Sequence, residues 1–100
     1  MLEGFRIAMI KSFKHKGLEK FFYTGSVVGI IPQHARKLRM ILAILNTAST
    51  VSDMDTPGLR FHMLSGDRKG VYSVTVNGNW RITFAFENGD AYITNYEDYH

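Results

Sequence analysis

GVYSVTVNGNWRITFAFENGDAYITNYE, residues 70–97, decides the fold. β-Branched and aromatic residues dominate it, and Asn77-Gly78 and Asn88-Gly89 punctuate it. The pattern predicts three antiparallel strands, over residues 70–76, 80–87 and 90–97. Register follows from keeping one face apolar. A two-residue loop at Asn77-Gly78 would set Val74 against Arg81 and Thr75 against Trp80, mixing the faces. A three-residue loop over 77–79 pairs Val76 with Trp80, Val74 with Ile82 and Tyr72 with Phe84. A two-residue loop at Asn88-Gly89 then pairs Phe86 with Ala91 and Phe84 with Ile93. The opposite, polar face carries Ser73, Thr75, Arg81, Thr83, Tyr92, Thr94 and Tyr96, with Arg81 opposite Tyr96. Asp98 and His100 follow on that side if the alternation persists. Tyr99 then has the wrong parity, so the strand is expected to break or twist near Asp98.

Working back from this sheet, residues 9–15 alternate and read as a short strand. Leu18, Phe21 and Phe22 have helical spacing within residues 17–24, and Gly25 is placed to stop that helix. Pro32 opens a second helix, a favoured first-turn use of proline. Its stripe is Leu38, Ile41, Leu42, Leu45 and Ala48, with Arg36, Lys37 and Arg39 mainly off it. Residues 49–58 form a polar loop ending in Pro57-Gly58. The expected fold class is α+β: two helices packed on one face of a small, largely antiparallel sheet.

One hundred residues suit a single domain over residues 1–100, large enough for one core. Met9 opens the phrase MIKSFKHKGLEKFF, so residues 1–8 read as an N-terminal extension. Without cysteine there is no disulfide, thiolate metal site or cysteine nucleophile, which suits a reducing cytosol. No apolar run reaches the length of a membrane span, and the first residues do not form a signal peptide. The net charge of +3 is unevenly placed. Residues 1–50 carry eight Lys/Arg against two Asp/Glu, and residues 51–100 carry four against seven. A basic half points to a polyanion partner; the plainer reading is a solvated helical surface.

The polar face and the chain end offer a chemistry. RNA is cut without a metal when a base takes the 2′-hydroxyl proton, an acid protonates the leaving 5′-oxygen, and a cation steadies the phosphate. Histidine suits either proton role because its ordinary pKa is about 6.5. Arginine grips phosphate with a bidentate fork, and tyrosine stacks on unpaired bases. Each residue also has an ordinary role. Arg81 can be a solvated or ion-paired strand residue, Tyr92 and Tyr96 can be strand formers, and a terminal Asp-Tyr-His can be a frayed end. His62, within Phe61-His62-Met63-Leu64, can be a hydrogen-bonded core residue. His15 and His34 are isolated and receive no role. No histidine or carboxylate pair has metal-ligand spacing, so neither metal nor other cofactor is expected. The loop Gly66-Asp67-Arg68-Lys69-Gly70 lacks a strand–loop–helix setting and reads as a turn.

Three phrases in order, MIKSFKHKGLEKFF at 9–22, LSGDRKGVYSVTVNGNWRITF at 64–84 and GDAYITNYEDYH at 89–100, resemble the HigB toxins of the RelE/ParE-like superfamily. The resemblance covers nearly the whole chain from Met9. It implies a RelE-like fold and a toxin of a type II toxin–antitoxin pair. It implies a ribosome-dependent, metal-independent endoribonuclease that arrests translation by cleaving messenger RNA in the ribosomal A site of a bacterial cytoplasm. The implied partners are a HigA-like helix-turn-helix antitoxin, the ribosome and its messenger RNA, with operator DNA bound only through the antitoxin complex and no membrane. It marks His62, Asp98, Tyr99 and His100 as catalytic and Arg81 as a phosphate contact; Tyr96, Arg68 and Lys69 are further RNA-binding candidates by their chemistry. Met63 stands where the family often has proline, and Ser65 where a basic residue is common. Two alternatives share the fold: an inactive module that binds antitoxin or ribosome, and a ParE-like gyrase inhibitor, which the terminal histidine site argues against.

Overall fold

The computed structural model describes residues 9–98. Helix α1 is Lys16–Thr24 and helix α2 is Ala35–Thr47, entered through a single 3₁₀ turn, Pro32–His34. The strands are β1 (His62–Met63), β2 (Val71–Asn77), β3 (Trp80–Glu87) and β4 (Asp90–Asp98). They form one antiparallel sheet in the order β1-β2-β3-β4. The α+β expectation stands. Three additions to it are β1, a 3₁₀ turn Val51–Met54 inside the polar loop, and a 3₁₀ turn Gly66–Arg68 between β1 and β2.

Local chemistry accounts for the helix ends. His15 caps α1: its Nδ1 accepts the Leu18 N–H at 2.9 Å, a role the sequence reading did not give it. Gly25 ends α1 in the left-handed region at φ 81, its N–H donating to Phe21 O. The predicted stripe of α2 is buried. Leu38, Ile41, Leu42 and Leu45 share one core with Leu18 and Phe21 of α1 and with Val74, Val76, Ile82, Phe84, Ala91 and Tyr96 of the sheet.

Two bulges set the register. Val74 pairs with Ile82 and Tyr72 with Phe84, as the apolar pattern requires. Trp80, however, pairs with Asn77, leaving Val76 as the extra residue, still buried. The second bulge alters the site. Phe86 pairs with Ala91 as expected, but the expected Phe84–Ile93 pair does not form. Ala85 pairs with Tyr92, and the next pair is Thr83 with Asn95. Ile93, at φ 48, is the distorted residue, an unusual conformation for a β-branched side chain. Its N–H donates to Ser12 Oγ at 2.8 Å. From there on, parity is reversed: Ile82 pairs with Tyr96, Arg81 with Glu97 and Trp80 with Asp98.

Residues 9–15, expected as a strand, run parallel to the outer edge of β4 but bridge it only at Ile10–Ala91 and Phe13–Thr94. The Lys11 and Lys14 N–H groups donate to Ala91 O and Thr94 O, and Met9 O and Ser12 O accept from Ala91 and Thr94. The three-residue step between bridges breaks the two-residue period of a true strand. Among the described residues, no helix is long and apolar enough to cross a membrane.

Candidate active site

The sheet face turned away from the helices is organised in cross-strand rows. One row is His62, Ser73, Thr83 and Asn95, contributed by β1 to β4 in order. The next is Thr75, Arg81 and Glu97. Tyr92 lies in a third row with Val71 and Ala85. Paired residues project to the same side, so His62, Arg81 and Glu97 all belong to this face.

His62 is exposed at the outer edge of the row. Its strand is held by Leu64 N–H to Val71 O and by Thr75 N–H to Leu59 O. Arg60, two residues before it, has φ 51, and His62 Nδ1 lies 3.0 Å from Arg60 O. A carbonyl oxygen only accepts, so Nδ1 carries the proton. In the neutral ring Nε2 then holds the lone pair, on the exposed side chain. The backbone thus selects the tautomer in which the other nitrogen can take a proton.

Glu97 is the centre of the face. Arg68 reaches it with both arms, Nη1 to Oε1 at 3.0 Å and Nη2 to Oε2 at 2.8 Å. Oε2 also accepts from Thr83 Oγ1 at 2.6 Å and from Asn95 Nδ2 at 3.3 Å. The Arg68 hydrogen bonds, aided by those of Thr83 and Asn95 and opposed by burial, hold the Glu97 carboxyl at about 2. It remains an anion at any working pH and is unsuited to proton transfer. Arg81 Nη1 donates to Thr75 Oγ1 at 2.8 Å and to Gly78 O at 3.2 Å, which fixes its guanidinium beside the same row.

The expected site residues divide. His62, Arg68 and Arg81 come together on this face, and Lys69 is exposed just after Arg68 at the end of the Gly66–Arg68 turn. The Arg68 fork is engaged by Glu97 rather than open toward RNA. Asp98 is exposed but pairs with Trp80, so it does not share Arg81's side as the unbroken alternation implied. Tyr99 and His100 lie outside the described residues.

Tyr96 is corrected. It was expected on the polar face as a base-stacking residue, but the Ile93 bulge turns it to the helix side, where it is 3% exposed. Its hydroxyl lies 2.7 Å from His34 Nδ1, and its ring packs on Trp80 and His15. A ring enclosed in this way has no face to offer a base. Thr94 turns inward with it and is fully buried, and Ser73 and Thr83 are buried beneath the polar face. The face is therefore less open than the alternation implied.

The sequence reading missed Glu97, Thr83 and Asn95 as a group, and His34 as a partner of Tyr96. Unbroken alternation put Glu97 on the apolar side, and the residues around Ile93 carry no Gly or Pro to signal a bulge. Among the described residues, no group of three or more His, Cys, Asp or Glu side chains could hold a metal ion.

Comparison with known proteins fits this arrangement. The model of the HigB-like toxins, the RelE-like toxin of the type II toxin–antitoxin system HigB, matches residues 11–100. The chain is 49% identical over 92 residues to the "Endoribonuclease HigB" of Proteus vulgaris, covering 92% of this chain and all of that one. It is 36% identical over 94 residues to "Toxin HigB-1" of Vibrio cholerae serotype O1, covering 92% of this chain and 98% of that one. With the family model spanning both helices, all four strands and the His62–Glu97 face, the chain belongs to the HigB-like family of RelE-like toxins of type II toxin–antitoxin systems.

Proposed function

We propose that this toxin is a metal-independent endoribonuclease that cleaves messenger RNA in the A site of translating ribosomes, in the bacterial cytoplasm, and that a HigA-like antitoxin restrains it. The observation that carries the reading is His62: an exposed imidazole whose Nδ1 is engaged by Arg60 O, on the same sheet face as Arg81. The chemistry needs a proton acceptor, a proton donor and a cation at the phosphate. A base takes the proton of the 2′-hydroxyl, whose oxygen attacks the adjacent phosphorus. The bond to the 5′-oxygen breaks as an acid protonates it, leaving a 2′,3′-cyclic phosphate and a 5′-hydroxyl. His62, Asp98, Tyr99 and His100 are the candidate proton carriers. Arg81 and Lys69 are the candidate contacts to phosphate. A small face with few convergent groups offers little grip on free RNA, and the ribosome supplies the missing positioning.

The test is cleavage of one messenger RNA, translating or naked, by wild type and His62→Ala, mapped by primer extension. Strong cutting only on translating ribosomes, lost in His62→Ala, is expected. Efficient cutting of naked RNA at the same protein concentration would refute ribosome dependence. Wild-type-level cutting by His62→Ala would refute the site. Cutting that needs an added transition metal while ribosome integrity is unchanged would refute metal independence.

A further inference from the structure

Arg68 and Glu97 come from opposite ends of the sheet order. Arg68 ends the short turn between β1 and β2, and Glu97 sits near the end of β4. With neighbouring strands about 4.8 Å apart, their contact bridges roughly 10 Å across β2 and β3. Thr83, under this bridge on β3, donates to the same carboxylate, and its row neighbour Ser73 is buried too. β1 is two residues long and forms one edge of the sheet. It carries His62. Glu97 directly precedes Asp98.

We propose that the Arg68–Glu97 pair is a clasp that holds the His62 strand in a fixed relation to the end of β4 during RNA cleavage, making Arg68 and Glu97 positioning residues. This rests on the cleavage reading above. Three features favour a clasp over a chance surface pair. The contact is bidentate and hence directional. The carboxylate is also held by Thr83 and Asn95, so it cannot swing with solvent. The guanidinium it holds stands six residues after His62, with the chain between them ordered by the Leu64–Val71 hydrogen bond. The ion pair is partly exposed, so losing it lowers stability without unfolding the chain, and the fall in rate of a folded variant belongs to geometry. Small misplacement of catalytic groups costs up to about 100-fold in rate.

The experiment uses the full chain on ribosomes carrying a defined messenger RNA, with Glu97→Gln, Arg68→Ala, the double variant and Arg68→Lys. kcat is expected to fall about 10- to 100-fold in each of the first two, with KM within about threefold. The double variant is expected to be no worse than the weaker single, and Arg68→Lys to fall between wild type and Arg68→Ala. Amide hydrogen exchange is the second readout. Residues 62–64 and 95–98 should exchange faster in Glu97→Gln, while α2 keeps its protection. A kcat within about twofold of wild type in Glu97→Gln overturns the clasp, as do single losses that multiply in the double variant. If wild type does not cleave ribosome-bound RNA at all, the cleavage reading fails. Unchanged exchange at residues 62–64 in Glu97→Gln would then overturn the clasp separately.

Discussion

The Tyr96 hydroxyl lies 2.7 Å from His34 Nδ1, tying the last strand to the turn that opens the second helix. Burial pushes the His34 imidazole below its ordinary value, which favours the neutral ring, and the tautomer decides whether Nδ1 or the Tyr96 hydroxyl is the donor. Tyr96 Oη in turn accepts a long hydrogen bond from the Ile31 N–H at 3.4 Å. Trp80 packs on the Tyr96 ring from β3, with centroids 4.6 Å apart.

Replacing Tyr96 by Phe keeps the packing and leaves His34 Nδ1 buried without its partner. Such a loss costs about 1–3 kcal/mol. The variant should therefore unfold at lower urea concentration with an unchanged m-value, and RNA cleavage should persist, since Tyr96 does not reach the polar face. A cleavage defect larger than the stability loss explains would restore Tyr96 to the site.

Glu97 makes acid stability predictable. Its folded value of about 2 lies below its ordinary 4.5. The unfolded chain therefore binds the proton first as pH falls. The stabilisation is fully present above about 4.5 and is lost progressively as pH drops toward 2. The urea midpoint of wild type should exceed that of Glu97→Gln above that window, and the two should converge below it. A gap that is constant from pH 7 to pH 2 would contradict the hydrogen-bonded carboxylate.

Phe84 is fully buried at the middle of β3. Phe84→Ala should destabilise the toxin by about 3–5 kcal/mol, measured by urea denaturation. A loss below about 1 kcal/mol would mean that the core lies elsewhere.

His62→Ala should lower the rate of messenger RNA cleavage by about 10²–10⁴-fold while leaving the melting temperature nearly unchanged. The side chain is exposed and its one described bond is to Arg60 O two residues away. Asp98→Ala and deletion of His100 are expected to impair cleavage as well. Retained antitoxin binding in a pull-down would show that each loss is chemical. Growth arrest at wild-type level by the His100 deletion would remove the chain end from the site.

Much of the fold was legible because burial repeats at regular intervals. The Leu38, Ile41, Leu42, Leu45 stripe marks α2, and the Val74–Ile82 and Tyr72–Phe84 pairs mark the first hairpin. The register failed where periodicity itself failed. Ile93 continues the apolar alternation in sequence but takes a left-handed backbone, exposes its side chain and reverses everything after it. That single residue moved Tyr96 inward and Glu97 outward. His62 was identified through resemblance, and no local pattern revealed that Arg60 O would fix its tautomer. His15 and His34 looked isolated because their partners, Leu18 N–H and Tyr96 Oη, depend on backbone placement and on a contact 62 residues away.

The two margins of the sheet differ from its faces in what they can offer another polypeptide. On one side β1 presents only a two-residue rim, and on the other the chain's own residues 9–14 lie against β4 and engage the backbone N–H and C=O of Ala91 and Thr94. An unpaired strand margin is the usual template for intermolecular β-pairing. Among the described residues that margin is short at β1 and partly occupied along β4, which predicts a toxin that resists runaway self-assembly when it accumulates without a binding partner. It also predicts that recognition proceeds through side chains on the helices or on the His62–Glu97 face, with strand addition playing little part.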